Sequence, residues 1–263
     1  MSESTFHTLG CYLRSQALRV ELAEALTIIV PTRNEVANIP GFLQALPVGC
    51  RLIVVDFGGD GTAELVGRIR PERSTVIRDS GNVSVARHIG AELATTPWLL
   101  FTDADVGFEP DYFAHVRMRM MDDDADAWYG PKLSRGQHHR YYRAVERGQA
   151  TAARLGVPAV SGSSFLVRRS AYAAAGGFDP RLSCNEDSEL GWRLARLGYR
   201  VQFDARLQVL ARDHRRLEAG RGRKIAHTLL RCGLLYLGWM PDRWREHDWG
   251  YWAGDRVAST RVR

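Results

Sequence analysis

The sequence predicts an α/β fold, a mostly parallel, Rossmann-like sheet with helices on both faces, and three observations carry that expectation. Apolar runs rich in β-branched residues recur at Thr27–Val30, Leu52–Val55, Thr75–Ile77 and Trp98–Phe101. Segments with helical spacing separate them, which is the pattern of parallel strands joined by covering helices. Polar clusters follow three of the runs: Thr32-Arg33-Asn34-Glu35, Asp56 with Gly58-Gly59-Asp60-Gly61-Thr62, and Asp103-Ala104-Asp105. Ligands of such sheets bind beyond the carboxyl ends of the strands, so the three clusters are expected to share one crevice.

The elements follow in chain order. Ile39, Phe42, Leu43 and Leu46 recur at helical spacing and mark the first helix, and Val83 to Leu93 reads as another. The run Trp98-Leu99-Leu100-Phe101 then delivers two acids to its mouth. Residues i and i+2 of a strand share a face, so the carboxylates of Asp103 and Asp105 can converge on one cation. Their hard oxygens suit Mg²⁺ or Mn²⁺, which bind through one or two acids while phosphate oxygens and water complete the shell. A solvated acidic loop is the plain account of an isolated D-x-D, and the neighbouring clusters weigh against it here. Later come a short strand at Ser164–Val167, a helix from about Glu186 to Leu197 closed by Gly198, and a strand at Tyr199–Phe203. Asp122, Asp123, Asp124 and Asp126 mark an exposed turn after a helix.

Composition narrows the class. The chain has 263 residues, 45% hydrophobic and 25% charged, enough for one large domain spanning 1–263. The net charge of +6 favours anionic partners, but the basic residues are scattered, and no nucleic-acid partner is expected. Lys132 and Lys224 are the only lysines among 36 basic residues, and arginine's bidentate fork suits phosphate. Cys11, Cys50, Cys184 and Cys232 form no C-x-x-C pair, so neither a zinc site nor a disulfide framework is indicated and a reducing compartment fits. The N-terminus lacks the pattern of an export signal. The apolar stretch Leu229 to Met240 is too short for a bilayer and contains Arg231. A cytoplasmic protein is expected, with possible peripheral contact at the inner face of a membrane.

Phosphate recognition must use unusual means, because the glycines after Asp56 match neither G-x-G-x-x-G nor the P-loop. A metal on Asp103 and Asp105 would neutralise a diphosphate and stabilise it as a leaving group. Asp56 can accept hydrogen bonds from a base or ribose, or cap its own turn. Cys184-Asn185-Glu186-Asp187 opens a helix, where acids gain from the dipole. One acid suffices for a cap; the second can remove a proton from an incoming hydroxyl. Asp213-His214-Arg215-Arg216 offers an imidazole to a metal and arginines to phosphate. The aromatics and cations of His138 to Arg143 read as a partly exposed amphipathic helix, or as a surface to stack on a sugar.

Together these residues resemble the family-2 glycosyltransferases of the GT-A fold, over most of the chain from Leu26 to about Arg216. Thr27 to Glu35 looks like that family's opening strand and nucleotide loop, and Ile53-Val54-Val55-Asp56 like its second strand with the nucleoside-binding acid. Gly81, Ala86-Arg87 and Gly90 are similar to the segment before the D-x-D. Ser161-Gly162-Ser163-Ser164 with Gly176-Gly177-Phe178-Asp179 resembles the acceptor-side loop, and Glu186-Asp187 with Glu189-Leu190 and Arg193-Leu194 the E-D helix. Phe57 and Gly58 depart from the Asp-Gly common after the second-strand acid, and His88 stands where Asn is common.

The resemblance implies a single GT-A type domain with a smaller mixed acceptor-side sheet: a nucleotide-sugar half at about 24–120, an acceptor half at about 121–216, and a C-terminal helical extension at 217–263. It implies that Asp103, Asp105 and His214 hold Mg²⁺ or Mn²⁺. Pro31, Thr32, Arg33, Glu35, Asp56, Arg87, Asp103, Ala104 and Arg216 would meet the donor, a UDP-sugar by preference or a GDP-sugar. Asp187 would be the general base with Glu186 beside it, and transfer would invert the anomeric carbon. The acceptor would be a small molecule, a glycan or a lipid-linked species, and the C-terminal segment would pack on the domain or touch a bilayer through Trp239 and Trp244. Two other readings stay open: a nucleotidyltransferase that makes a nucleotide-sugar, and a non-catalytic sugar or lipid-headgroup binder.

Overall fold

Leu26, Ile28 and Val30 point to one face of the first strand and Ile29 to the other, and every one of them is buried. A strand apolar on both faces needs cover on both, and the computed structural model, which describes residues 22–212 and 221–246, supplies it. The strands β1 (Leu26–Thr32), β2 (Arg51–Asp56), β3 (Ser74–Arg78) and β4 (Trp98–Thr102) are parallel. Helices α1 (Ile39–Ala45), α2 (Thr62–Ile69) and α3 (Val83–Leu93) connect them. The chain then runs through β5 (Val106–Phe108), α4 (Tyr112–Met120), β6 (Ala127–Tyr129), β7 (Lys132–Leu133) and α5 (His139–Arg154). It continues with β8 (Ser164–Arg168), α6 (Arg169–Ala174), α7 (Glu186–Arg196), β9 (Val201–Phe203) and β10 (Val209–Ala211). Helices α8 (Arg221–Tyr236) and α9 (Asp242–Arg245) close the described chain.

Seven strands form the main sheet in the order β3-β2-β1-β4-β8-β6-β9. Only β8 runs against its neighbours, so the sheet is mostly parallel. The smaller sheet is β5-β10-β7, mixed in direction. The chain moves outward from β1 to β3 and then returns to place β4 on the other side of β1. That reversal opens a crevice at the carboxyl ends of β1 and β4.

One core layer lies under α1, α2 and α4 and contains Ile28, Val54, Phe42 and Tyr112. The other lies under α3, α6 and α7 and contains Ile29, Val55, Phe101 and Leu190. Phe101 is fully buried, with its ring 4.9 Å from that of Phe178 edge-on and 6.1 Å from that of Phe165. Phe101→Ala is expected to destabilise the fold by about 3–5 kcal/mol, read as a lower urea midpoint at constant m-value. Helix α3 packs closely on β1, because a Cβ at Gly90 would stand 2.5 Å from Ile29 Cγ2. Arg87, three residues earlier, lies on the same helix face and is carried to the mouth of the sheet.

The expected strands and helices are present with small shifts at their ends. Gly198, at φ +89°, ends α7 in the left-handed conformation that glycine adopts without cost. The last predicted strand is confined to Val201–Phe203, since Gly198 and Tyr199 complete the helix exit. The acidic run at 122–126 is an exposed turn after α4, tied down by an Arg119–Asp122 pair at 3.0 Å. Among the described residues no helix is long and apolar enough to cross a membrane. Helix α8 packs on α7 through Leu235 and Trp192, with Leu182 and Met240 of the flanking segments in the same cluster, and the fully buried Arg231 donates to the carbonyl of Trp244 at 2.9 Å. Leu229, Leu237 and Trp239 remain exposed on the same hairpin.

Candidate active site

Four elements converge at the mouth of β1 and β4. The turn after β4 carries Asp103 and Asp105, α3 carries Arg87, the loop before β8 carries Gly162 and Ser163, and the first turn of α7 carries Glu186 and Asp187. Arg87 is 4% exposed and forks between two acids, with Nη2 2.8 Å from Asp103 Oδ1 and Nη1 paired with Glu186 Oε1. Burial works against its charge, but Glu186 and Asp103 outweigh that and hold its pKa above the ordinary arginine value. The other oxygen of Asp103 accepts from Ser163 Oγ at 2.5 Å.

Gly162 fits against this guanidinium, where a Cβ would stand 2.3 Å from Arg87 Nη1. Its amide donates to Asp187 Oδ2 at 2.7 Å, and the Ser188 amide donates to Oδ1 at the same distance. Asp187 is therefore oriented by backbone donors and half-buried, whereas Glu186 is buried against Arg87. Burial raises both carboxyl pKa values above the usual range, Arg87 opposes the rise, and Asp187 adds to it at Glu186. Gly162→Ala is expected to push Arg87 aside and lower thermal stability, measured as a Tm below that of the unaltered protein.

Asp105 meets a different cation. Lys132 Nζ lies 2.8 Å from Oδ1 and 3.0 Å from Oδ2, and the backbone carbonyl of Asp105 accepts from the Arg212 amide at 2.8 Å. Burial works to lower the Lys132 pKa, yet Asp105 and Asp103 more than compensate and hold it above the ordinary lysine value. Ala104, between the acids, is buried in the core.

At the carboxyl ends of β1 and β2, Asp56 accepts from Thr32 Oγ1 at 2.8 Å and from the Gly58 amide at 3.3 Å. Arg33 stands over the Phe57 ring, 5.9 Å from its centroid. Pro31, Thr32 and Asp56 are buried, and Glu35 accepts from Asn38 Nδ2 at 2.7 Å. The glycine-rich stretch is organised by Asp60, which accepts from the Val36 and Thr62 amides at 2.9 and 3.1 Å.

The structure thus brings Asp103, Asp105, Arg87, Glu186 and Asp187 into one cluster, and Thr32, Arg33, Glu35 and Asp56 onto the neighbouring strand ends. His214 and Arg216 lie outside the described residues. Lys132 and Phe57 were not among the residues singled out for the site. Lys132 follows a two-residue connection and belongs to a two-residue strand, so periodicity could not place it; its rarity among 36 basic residues was the only available signal.

A sequence model described as "Glycosyl transferase family 2" matches residues 27–175, more than half of the chain. The chain belongs to glycosyl transferase family 2. The matched span holds every strand from β1 to β8, the D-x-D and the Gly162 loop, while the E-D helix lies beyond it. Among relatives, this family-2 glycosyltransferase is 26% identical over 196 residues to the succinoglycan biosynthesis protein ExoA of Rhizobium meliloti (strain 1021), covering 66% of this chain and 59% of that one. It is 26% identical over 204 residues to the pre-mycofactocin glycosyltransferase of Mycobacterium tuberculosis, covering 72% of this chain and 43% of that one. The chain therefore spans about half the length of the curated relatives it matches.

Solved structures agree on a GT-A fold. The mannosyltransferase PcManGT from Pyrobaculum calidifontis, in complex with GDP-Man and Mn²⁺, superposes with a TM-score of 0.61 at 17% identity, covering 97% of this chain and 84% of that one. TarS of S. aureus in complex with UDP gives 0.56 at 18% identity, covering 71% and 60%.

Proposed function

We propose that this protein transfers a hexose from a nucleotide-diphosphate sugar, UDP-linked by preference or GDP-linked, to an acceptor hydroxyl with inversion at the anomeric carbon. The observation that carries the reading is the meeting of the D-x-D, the Arg87 fork and the backbone-oriented Asp187 at the switch point of the sheet. The UDP complex of TarS and the GDP-Man and Mn²⁺ complex of PcManGT support the donor class by analogy of fold.

In this mechanism the residues at 24–120 bind the donor and those at about 121–216 present the acceptor, a small molecule, glycan or lipid-linked species. Arg33, Phe57 and Asp56 lie where the nucleoside would dock, with Thr32 holding the Asp56 carboxylate in place. The acceptor oxygen attacks the anomeric carbon, the bond to the diphosphate breaks with its electron pair, and the hydroxyl proton passes to Asp187. Glu186 holds Arg87, and Arg87 holds Asp103, so Glu186 and Arg87 act as positioning groups.

The residues fit a divalent cation: the oxygens are hard, and the ammonium held by both oxygens of Asp105 is a stand-in for one. Asp103 and Asp105, with His214 outside the described residues, would hold Mg²⁺ or Mn²⁺. Once bound it supplies positive charge to the departing diphosphate. The reading places the enzyme in the cytoplasm, and the exposed Trp239 is the side chain that would touch the inner face of a membrane if the acceptor is lipid-linked.

The test is a panel of UDP- and GDP-sugars with and without Mn²⁺, read by thermal shift and by release of nucleoside diphosphate. Stabilisation by one base over the others, with release of its diphosphate, is the expected result; release of pyrophosphate from a triphosphate instead would overturn the reading. The pH profile gives a further check. A base works ionised, and the Asp187 pKa is raised, so the rate is expected to climb with pH through a limb above the ordinary carboxylate range. A rate that stays flat as pH falls through the ordinary carboxylate range would exclude Asp187 as base.

A further inference from the structure

The two acids of the D-x-D are neutralised in different ways. Asp103 pairs with Arg87, a nearly inaccessible guanidinium pinned between Gly162 and Glu186. Asp105 pairs with the Lys132 ammonium, a compact point charge on a four-carbon stem, and the two side chains are 18% and 17% exposed. The backbone that carries Lys132 is fixed: two residues earlier, a Cβ at Gly130 would stand 1.9 Å from the Leu207 carbonyl oxygen, and β7 then pairs with β10. The root of the side chain is fixed by this pairing, and the four-carbon stem has rotatable bonds by which the ammonium can reach another partner. Both oxygens of Asp105 face this ammonium, which therefore fills the position that a metal ion on Asp105 would take.

We infer that Lys132 is a displaceable occupant of the cation position on Asp105, and that it makes divalent-metal binding conditional on the diphosphate of the donor. This rests on the donor class proposed above. A metal arriving alone must evict the ammonium, which then loses its carboxylate partner in a partly buried site. A diphosphate changes both sides of that exchange. Its oxygens complete the metal's shell, and its negative charge gives the displaced ammonium a new partner. Metal and nucleoside diphosphate then bind with positive coupling, and the coupling is reciprocal. The lysine thereby orders assembly of the site, so that the charge needed by the leaving group arrives with the leaving group.

The experiment is a Mn²⁺ titration of the whole chain, followed by calorimetry and by the electron-spin signal of free Mn²⁺, with and without UDP or GDP. It compares the unaltered protein with Lys132→Met, which keeps the volume and removes the charge, and with Lys132→Arg, which keeps the charge. Lys132→Gln serves as a second neutral variant if the Met variant folds poorly. Mn²⁺ alone is expected to bind the neutral variants about ten-fold or more tightly than the unaltered protein, within the usual range of coupled sites. The enhancement of Mn²⁺ affinity by nucleotide is expected to shrink by a similar factor, while Lys132→Arg keeps it. Equal or weaker Mn²⁺ binding to the neutral variants, or an undiminished nucleotide enhancement, would overturn the inference. The titration without nucleotide does not depend on sugar transfer. Tighter Mn²⁺ binding by the neutral variants together with no nucleotide binding by any of them would remove the proposed donor and leave the competition at Asp105 standing.

Discussion

Asp187→Asn is expected to lower the transfer rate by about 10²- to 10⁴-fold, the usual contribution of a positioned general base, with little change in affinity for the nucleotide donor. The substitution keeps the shape of the side chain and an oxygen that can accept from the Gly162 amide. It removes the negative charge that takes the hydroxyl proton. The proposed donor groups sit mainly on other elements, at the ends of β1, β2 and β4, so donor affinity and rate are separable in a single-turnover assay. A variant that transfers sugar at the unaltered rate would show that another group receives the proton. Glu186 is a poor substitute, because it is buried and committed to Arg87.

Arg87→Met is expected to cost about 3–5 kcal/mol of stability, because it leaves the buried Glu186 without its counter-charge and also unpairs Asp103. The effect should appear as a lower urea midpoint, and it should diminish in the double variant Arg87→Met/Glu186→Gln, which leaves one fewer buried charge. Such non-additivity is the signature of residues that act in one network. A loss below about 1 kcal/mol, the value of an exposed ion pair, would contradict the burial of the Arg87–Glu186 pair. The arginine is therefore structural and chemical at once: without it the acids of the D-x-D and of α7 repel each other across the same crevice.

How much of this was legible depended on element length. Strands β1, β2 and β4 are buried on both faces and read as continuous apolar runs, so the sheet and its carboxyl-end clusters followed from the sequence. Strands β5, β6, β7 and β10 hold three residues or fewer, too short for a period to register, and β9, equally short, was legible only because Gly198 marks the end of the helix before it. The antiparallel insertion of β8 between β4 and β6 is set by long-range pairing and leaves no local trace. Within the site, the acids at 103, 105, 186 and 187 were recognisable by spacing. Their partners were not, because Arg87 to Glu186 spans 99 positions and Lys132 to Asp105 spans 27, and only the folded sheet brings them together. The resemblance to family-2 glycosyltransferases placed Arg87 beside the donor; its position beneath the acids explains why an arginine is needed there.

The claim on which the rest depends is that the diphosphate of a nucleotide-sugar lies at the carboxyl ends of β1 and β4, between the D-x-D and Lys132. A crystal grown with Mn²⁺ and UDP or GDP tests it most directly. The expected density has Mn²⁺ on Asp105 in place of the ammonium, the diphosphate against Mn²⁺ and Lys132, and the base near Asp56, Arg33 and Phe57. A nucleotide bound elsewhere on the chain, with Lys132 still clasped by Asp105, would contradict the account.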